Sequence, residues 1–319
     1  MRKKPEAMEA TIETRKTPRS VSFKKYYQLY LMLLPAVVFL AVFSYVPLSG
    51  WIMAFKDYHL GQDIWSAKWI GFKEFRFFFT GTADAWETIR NTVVMNLMGL
   101  FACLYISAAF AIFLNEVRLK KMKKFIQTAS FFPYFVSWVI CYMIFYAFFS
   151  KSSGVINQLL VSQGVISEGV NFLGSPTWSW WIMLFVGVWL SLGYDSVIFL
   201  ASIAGIDTEQ YEAADIDGAT RMQKIRYITV PELKPTLVIL LILNSGSMLS
   251  SNLESNYLFC NPTNRSTMET LEMYIYEYGL SQLNIPYATA VCMIRTLVSI
   301  GLFLIVNHVA KKYQGTSVM

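Results

Sequence analysis

Apolar residues in this chain fall in long blocks rather than at the 3.6- or 2-residue periods of half-buried helices and strands. Stretches with at most one acidic or basic residue run at about 30–55, 91–115, 125–150, 179–204, 235–253 and 285–310. Each holds 19 to 26 residues. At 1.5 Å per residue, that length lets a helix cross about 30 Å of hydrocarbon. The pattern predicts an all-α membrane protein of six transmembrane helices, and an even number of spans puts both termini on one side. Two spans carry a charge, Asp195 and Arg295.

Composition agrees. Of 319 residues, 55 % are hydrophobic and only 15 % charged, against roughly 25 % charged in average soluble domains. The 27 Lys and Arg exceed the 21 Asp and Glu, giving +6. Their placement is uneven. Nineteen lie on the side of the termini: eight in residues 1–27, five in 116–124, four in 205–234, and Lys311 and Lys312. Seven lie on the other side. Basic loops stay in the cytoplasm, so the N and C termini are expected there. The positive excess is thus a topology signal and implies no nucleic acid. Residues 1–27 read as a cytoplasmic tail near anionic membrane lipid, and 28–319 as the transmembrane domain. The apolar run after the tail is too long for a cleaved signal peptide.

Catalytic chemistry finds little footing. Cys103, Cys141 and Cys292 fall in spans, Cys260 stands alone in an outer loop, and no C-x-x-C occurs. His59 and His308 lie at opposite faces. Metal ligation, redox work and a His-based intramembrane enzyme are therefore disfavoured.

Several features depart from a plain bundle. The first outer connection carries Trp65, Trp69, Phe72, Phe75, Phe77, Phe78 and Phe79. These aromatics suit an interfacial helix or a platform for an outside partner, and both can hold. Pro35, Pro47 and Pro133 sit in spans, where freed carbonyls need neighbouring helices or cavity water. They mark ordinary kinks or a bend lining a pathway. Asp195 and Arg295 lie about 9 Å apart in depth, from six residues at 1.5 Å each. A structural ion pair, a polar contact in a substrate pathway, and snorkelling all remain open. In the fifth connection, an Asn261-Pro262 turn precedes helix-forming residues 268–278.

The loop at 205–234 is the most informative stretch. Asp207 with Gln210 resembles a capping box, opening a short helix to about Ile216. Gly218 suits the left-handed position that ends it. Thr220 with Gln223 is a second capping box. The second short helix is expected to stop at Val230, because Pro231 pushes its predecessor from helical geometry. Tyr211, Ala214, Met222, Ile225 and Ile228 supply apolar faces. The first helix is acidic (Asp207, Glu209, Glu212, Asp215 and Asp217), which disfavours lying on an anionic leaflet and favours a groove on another protein.

This loop resembles the EAA signature of permease subunits in binding-protein-dependent ABC importers: Glu212-Ala213-Ala214, three residues, Gly218, then Ile228-Thr229-Val230-Pro231. Val230 replaces the usual Leu, and Ile225 stands where an aromatic is common. The stretches YLMLLPAVVFLAVFSYVPLSGWIMAFKDY and PYATAVCMIRTLVSIGLFLIVNHVAKKY resemble permeases for oligosaccharides and polysaccharide fragments. The resemblance implies a second permease subunit, two cytoplasmic ATPase subunits and an extracytoplasmic solute-binding protein. It makes 205–234 a coupling loop seated in an ATPase cleft, with Glu212, Ala213, Ala214, Asp217, Gly218, Ile228 and Pro231 as its working residues. No G-x-x-x-x-G-K-[ST] phosphate loop occurs, so ATP and Mg would sit on the partner ATPases and this chain would bind no cofactor. Substrate-pathway candidates are Asp195, Asn252, Glu254, Tyr257 and Arg295, the last suggesting an acidic oligosaccharide. The rival readings are a stand-alone secondary transporter using Asp195 and Arg295, disfavoured by the lack of an internal repeat, and a membrane-embedded enzyme.

Overall fold

The computed structural model describes residues 19–81 and 84–314; residues 1–18 of the expected tail lie outside these. The chain divides into two units, Met1–Ile52 and Met53–Met319. In the first unit, helix begins at Arg19, earlier than the expected end of the tail at residue 27. It breaks at Tyr26, whose φ of −116° and ψ of 19° are not helical. The apolar span α1 is Tyr26–Phe55. Pro35 lies inside it, and Pro47 falls in a tighter 3-10 stretch, Val46–Phe55.

The second unit opens with a short antiparallel pair, β1 (Lys56–Asp57) and β2 (Lys68–Trp69). Buried Lys56 closes the intervening loop by donating to the Ile64 and Trp65 carbonyls at 2.8 and 2.9 Å. Helix α2 (Lys73–Thr80) follows. It buries Phe78 and leaves Phe77 and Phe79 exposed. α3 (Ala85–Glu116) is the second long apolar helix.

The third expected span, 125–150, is not one straight helix. α4 (Lys120–Phe135) and α5 (Trp138–Phe149) meet at a bend of 102°. Pro133 has no N–H to continue the ladder, Val136 is extended (ψ 128°), and the Ser137 hydroxyl caps a fresh start by accepting from the Ile140 N–H. α6 (Val155–Ser162) lies in the next connection. Buried Asn157 holds that connection, donating to the Ser150 and Val170 carbonyls and accepting from the Val170 N–H. α7 (Pro176–Ala204) crosses α4 closely at Gly193, where a Cβ would come within 2.3 Å of the Ser130 carbonyl oxygen.

α8 (Thr208–Ile216) is the first short helix of the 205–234 loop. The second does not stop at Val230 but runs on as α9 (Arg221–Ser245). A π turn at Ile225–Thr229 absorbs Pro231: Val230 N–H reaches back to the Ile225 carbonyl, and the wider turn accommodates the ring. α9 also ends earlier than the expected 253. Asn244 donates to the Leu240 carbonyl, Ser245 to Ile242 and Ser247 to Asn244. Such side chains compete with the helix for its own carbonyls. The chain then turns through 246–249 into α10 (Leu253–Phe259), α11 (Arg265–Met268) and α12 (Leu271–Tyr276), before the last span α13 (Ile285–Lys312).

Among the described residues, five helices are thus long and apolar enough to cross a membrane, and up to six crossings result when the bent α4–α5 pair counts as one. Three buried clusters tie the second unit together. One joins Leu104, Ala108 and Ala111 of α3 to Phe199 and Ile203 of α7 and Leu233 of α9. The small alanines let these helices approach. A second joins Phe78 and Ala85 to Leu271, Tyr274, Tyr287 and Val291. The third joins Cys141 and Phe145 to Val186, Leu190, Phe259 and Met268.

Candidate functional site

The segment between α7 and α9 is a stapled corner. Asp207 caps α8 by accepting from the Glu209 N–H at 3.0 Å. The expected return bond to Gln210 is not made; the Gln210 Nε2 donates to Glu232 at 3.5 Å. α8 ends in a Schellman motif. Ala219 N–H donates to the Ala214 carbonyl at 2.9 Å and Gly218 N–H to Asp215 at 3.1 Å, with Gly218 at φ +73°. The second capping box is complete: Gln223 N–H donates to the Thr220 hydroxyl, and Thr220 N–H donates to the Gln223 side chain at 2.7 Å.

The corner has an inner and an outer aspect. Tyr211 and Ile228 pack against the α3–α7–α9 cluster, and the Tyr211 hydroxyl meets buried Thr229 at 2.9 Å. Lys224 pairs with Asp215. Arg221 grips Glu116, the last residue of α3. Outward stand Glu212, Ala213, Asp217 and Gly218, all exposed, with Ala214 half-buried and Pro231 exposed where α9 straightens. The corner also exposes apolar side chains. Ile216 is 88 % and Met222 70 % accessible, so Met222 faces away from the bundle face that Tyr211 and Ile228 occupy.

A cleft of about 440 Å³, lined mostly by apolar groups, opens between α3, α7 and α9. Asn96, Tyr194, Asp195, Asn244, Ser247 and Ser250 supply its polar groups among apolar neighbours. Met95, Asn96, Gly99 and Cys103 also line an adjoining hollow of about 130 Å³ that reaches Trp180, Ser251 and Asn252. Asn96 donates to the Ser251 hydroxyl at 3.0 Å, and Tyr194 stacks on Tyr134 at 4.3 Å.

The substrate candidates separate. Asp195 lines the larger cleft and Asn252 the adjoining hollow, and Asn252 additionally caps α10 by accepting from the Ser255 N–H. Glu254 is exposed on α10. Tyr257 lines a different hollow, with Tyr276, Arg265 and Glu277. Arg265 bridges Glu269 and Glu277 at 2.7 and 2.5 Å. Its pKa is pushed up, chiefly by the bond to Glu269. Arg295 pairs with Glu272 of α12, and among the described residues no ion pair reaches Asp195. The pair on which an ion-coupled secondary transporter would rest is not formed. Sequence reasoning missed Asn96, Asn244, Glu272 and the Arg221–Glu116 contact. Asn96 and Asn244 carried a signal, since polar side chains inside apolar spans mark pathways or helix contacts.

Residues 104–315 match the family described as binding-protein-dependent transport system inner membrane component. The chain is 37 % identical over 285 residues to Protein LplB of Bacillus subtilis (strain 168), covering 89 % of each. It is 36 % identical to the polygalacturonan/rhamnogalacturonan transport system permease protein YteP of the same organism, covering 89 % of this chain and 88 % of that one. A bacterial ABC transporter involved in the import of the acidic polysaccharide alginate contains a chain that superposes with a TM-score of 0.85 at 32 % identity, covering 92 % of this chain and 99 % of that one. The alginate transporter in complex with its alginate pentasaccharide-bound periplasmic protein gives 0.85 at 33 %, covering 93 % and 99 %.

Proposed function

The chain belongs to the binding-protein-dependent transport system inner membrane component family, and from that premise we propose that it is the membrane permease subunit of an ABC importer for an oligosaccharide. With a second permease it forms the uptake pathway, and both termini and the α8–α9 corner lie in the cytoplasm. Two ATPase subunits there bind ATP and Mg and receive the corner, while a solute-binding protein delivers sugar from outside. This chain is a transport subunit, and hydrolysis is the partners' work.

One observation carries the reading. The corner is rigid inside and ready to dock outside. Its backbone is stapled by caps and the Schellman motif, yet Ile216, Met222, Glu212 and Ala213 are presented to solvent. An exposed apolar tip rimmed by charge suits a groove on another protein. Closure of paired ATPases on nucleotide then moves the corner as a rigid body, and the spans shift between two packings. Sugar passes by the α3–α7–α9 cleft, where Asp195, Asn96 and Asn244 offer hydrogen bonds and Tyr194 an aromatic face.

An acidic cargo is supported by the rhamnogalacturonan permease and the alginate importer among the relatives. Arg295 lends it no support, because Glu272 already neutralises that guanidinium.

The test is cross-linking. A bifunctional thiol reagent on Ala213→Cys or Ala214→Cys should capture the ATPase subunit in membranes holding the assembled importer. The reading fails if neither position captures it while control positions within the permease pair cross-link normally.

A further inference from the structure

Arg221 does more than begin α9. Its Nε donates to the Glu116 carboxylate at 2.9 Å, and its Nη2 donates to the Glu116 carbonyl at 2.8 Å while pairing with the carboxylate at 2.6 Å. Glu116 ends α3, where Val117 turns extended with ψ 111°. Its carbonyl is therefore one of the acceptors a helix leaves unpaired, at the negative end of the dipole. A forked guanidinium can hold a carboxylate and a carbonyl together, and a lysine ammonium cannot reproduce that planar grip. Two further cations, Lys224 and Arg118, line the same hollow; Lys224 is committed to Asp215, and it is Arg221 that pairs with Glu116.

Besides its chain continuity with α7 and α9 and the Gln210–Glu232 contact, the corner meets the bundle through Tyr211 and Ile228 in an apolar cluster and through the Tyr211–Thr229 contact. Apolar contact resists separation but is non-directional, so it sets no precise register against α3. The Arg221 fork fixes its register on α3. From Glu116 to Cys103 is thirteen residues, about 20 Å of continuous helix, and Cys103 lines the cleft beside Asp195.

We propose that Arg221 is a positioning residue that latches the coupling corner to the end of α3, so that a push on the corner is delivered along α3 to the cleft. This rests on the ABC-importer reading above.

The experiment uses the assembled importer in nanodiscs, with Cys103 as the sole cysteine of this chain, and compares maleimide labelling of Cys103 without nucleotide and in the vanadate-trapped state. Trapping should change the labelling rate about five-fold or more, a usual size for coupling between sites. Arg221→Glu should abolish that change, and Arg221→Lys should shrink it, while ATPase subunits still co-purify. Arg221→Glu with Glu116→Arg should restore part of it, because the exchanged pair re-forms the ion pair, and the response of Cys103 labelling to nucleotide, at unchanged thermal stability, separates a latch from a merely structural role. A full nucleotide response in Arg221→Glu, or an exchanged pair no better than the single variant, overturns the latch. Failure of the unmodified importer to retain ATPase subunits would instead strike the importer reading itself.

Discussion

Gly218 offers the sharpest test of the corner. Its φ of +73° lies in the left-handed region, and a Cβ built there meets nothing within 4 Å. Sterics with neighbours therefore contribute nothing, and the cost of a side chain is the backbone strain alone. For an ordinary L-residue that is about 1–2 kcal/mol, or about 5–30-fold in the population of the native corner. Asparagine tolerates this region and should lose least, alanine more, and valine more still through its branched Cβ. Proline cannot reach φ +73°, because its ring holds φ near −65°. It also removes the Gly218 N–H that donates to Asp215 and restricts Asp217 before it. Gly218→Pro should thus abolish coupled transport without impairing insertion, since the corner lies outside the apolar helices. The assay is substrate uptake in reconstituted vesicles, normalised to inserted protein, together with thermal unfolding in detergent. The expected order is Gly, Asn, Ala, Val, Pro in uptake, with melting temperatures nearly level. Wild-type uptake by Gly218→Pro, or equal uptake by the Asn and Val variants, would refute the strain account.

Three further outcomes follow from particular contacts. Gly193→Ala should destabilise the α4–α7 crossing by about 1–3 kcal/mol, since the nearest atoms are Ser130 and Phe131 backbone that cannot rotate away. Gly187→Ala in the same helix, with nothing within 4 Å, should be neutral or slightly stabilising in the same melting assay. Glu272→Ala leaves the half-buried Arg295 charge without its partner and should cost about 3–5 kcal/mol, whereas Glu272→Leu with Arg295→Met should recover most of that loss; an unchanged melting point in the single variant contradicts the pair. Burial pushes the Cys260 thiol up to about 11, opposed by the nearby Arg265 charge. At neutral pH it should hold about 100-fold less thiolate than a cysteine at the ordinary 9.0. Maleimide labelling should climb with pH until about 11 and should be slower still in Arg265→Ala. Because the folded state holds this proton more tightly, the associated stabilisation is present below the ordinary thiol pKa and fades as pH rises through about 11.

Much of the corner was legible because its signals are local. The Thr220/Gln223 box, the Gly218 turn and the Asp207 cap each depend on residues within three or four positions, and each formed. Gln210 does not complete a box, and its Nε2 instead donates to Glu232, 22 residues on, a partner that local spacing does not reveal. The same limit applies to the cleft. Asp195 stood out as a charge in an apolar run, but its companions Asn96 and Asn244 come from other helices. Arg295 suggested a sugar contact, and its actual partner Glu272 lies in a separate short helix that sequence spacing could not align with it.

Block length and charge asymmetry by themselves determined a multi-span helical membrane protein, because hydrocarbon demands about 20 apolar residues per crossing whatever the neighbours are. The 102° break after Pro133, the passage of α9 through Pro231 and the early end at Ser245 were decided by tertiary structure. A proline or serine only offers a helix the option to bend or stop. Whether it does so depends on which backbone groups the surrounding helices leave to be satisfied.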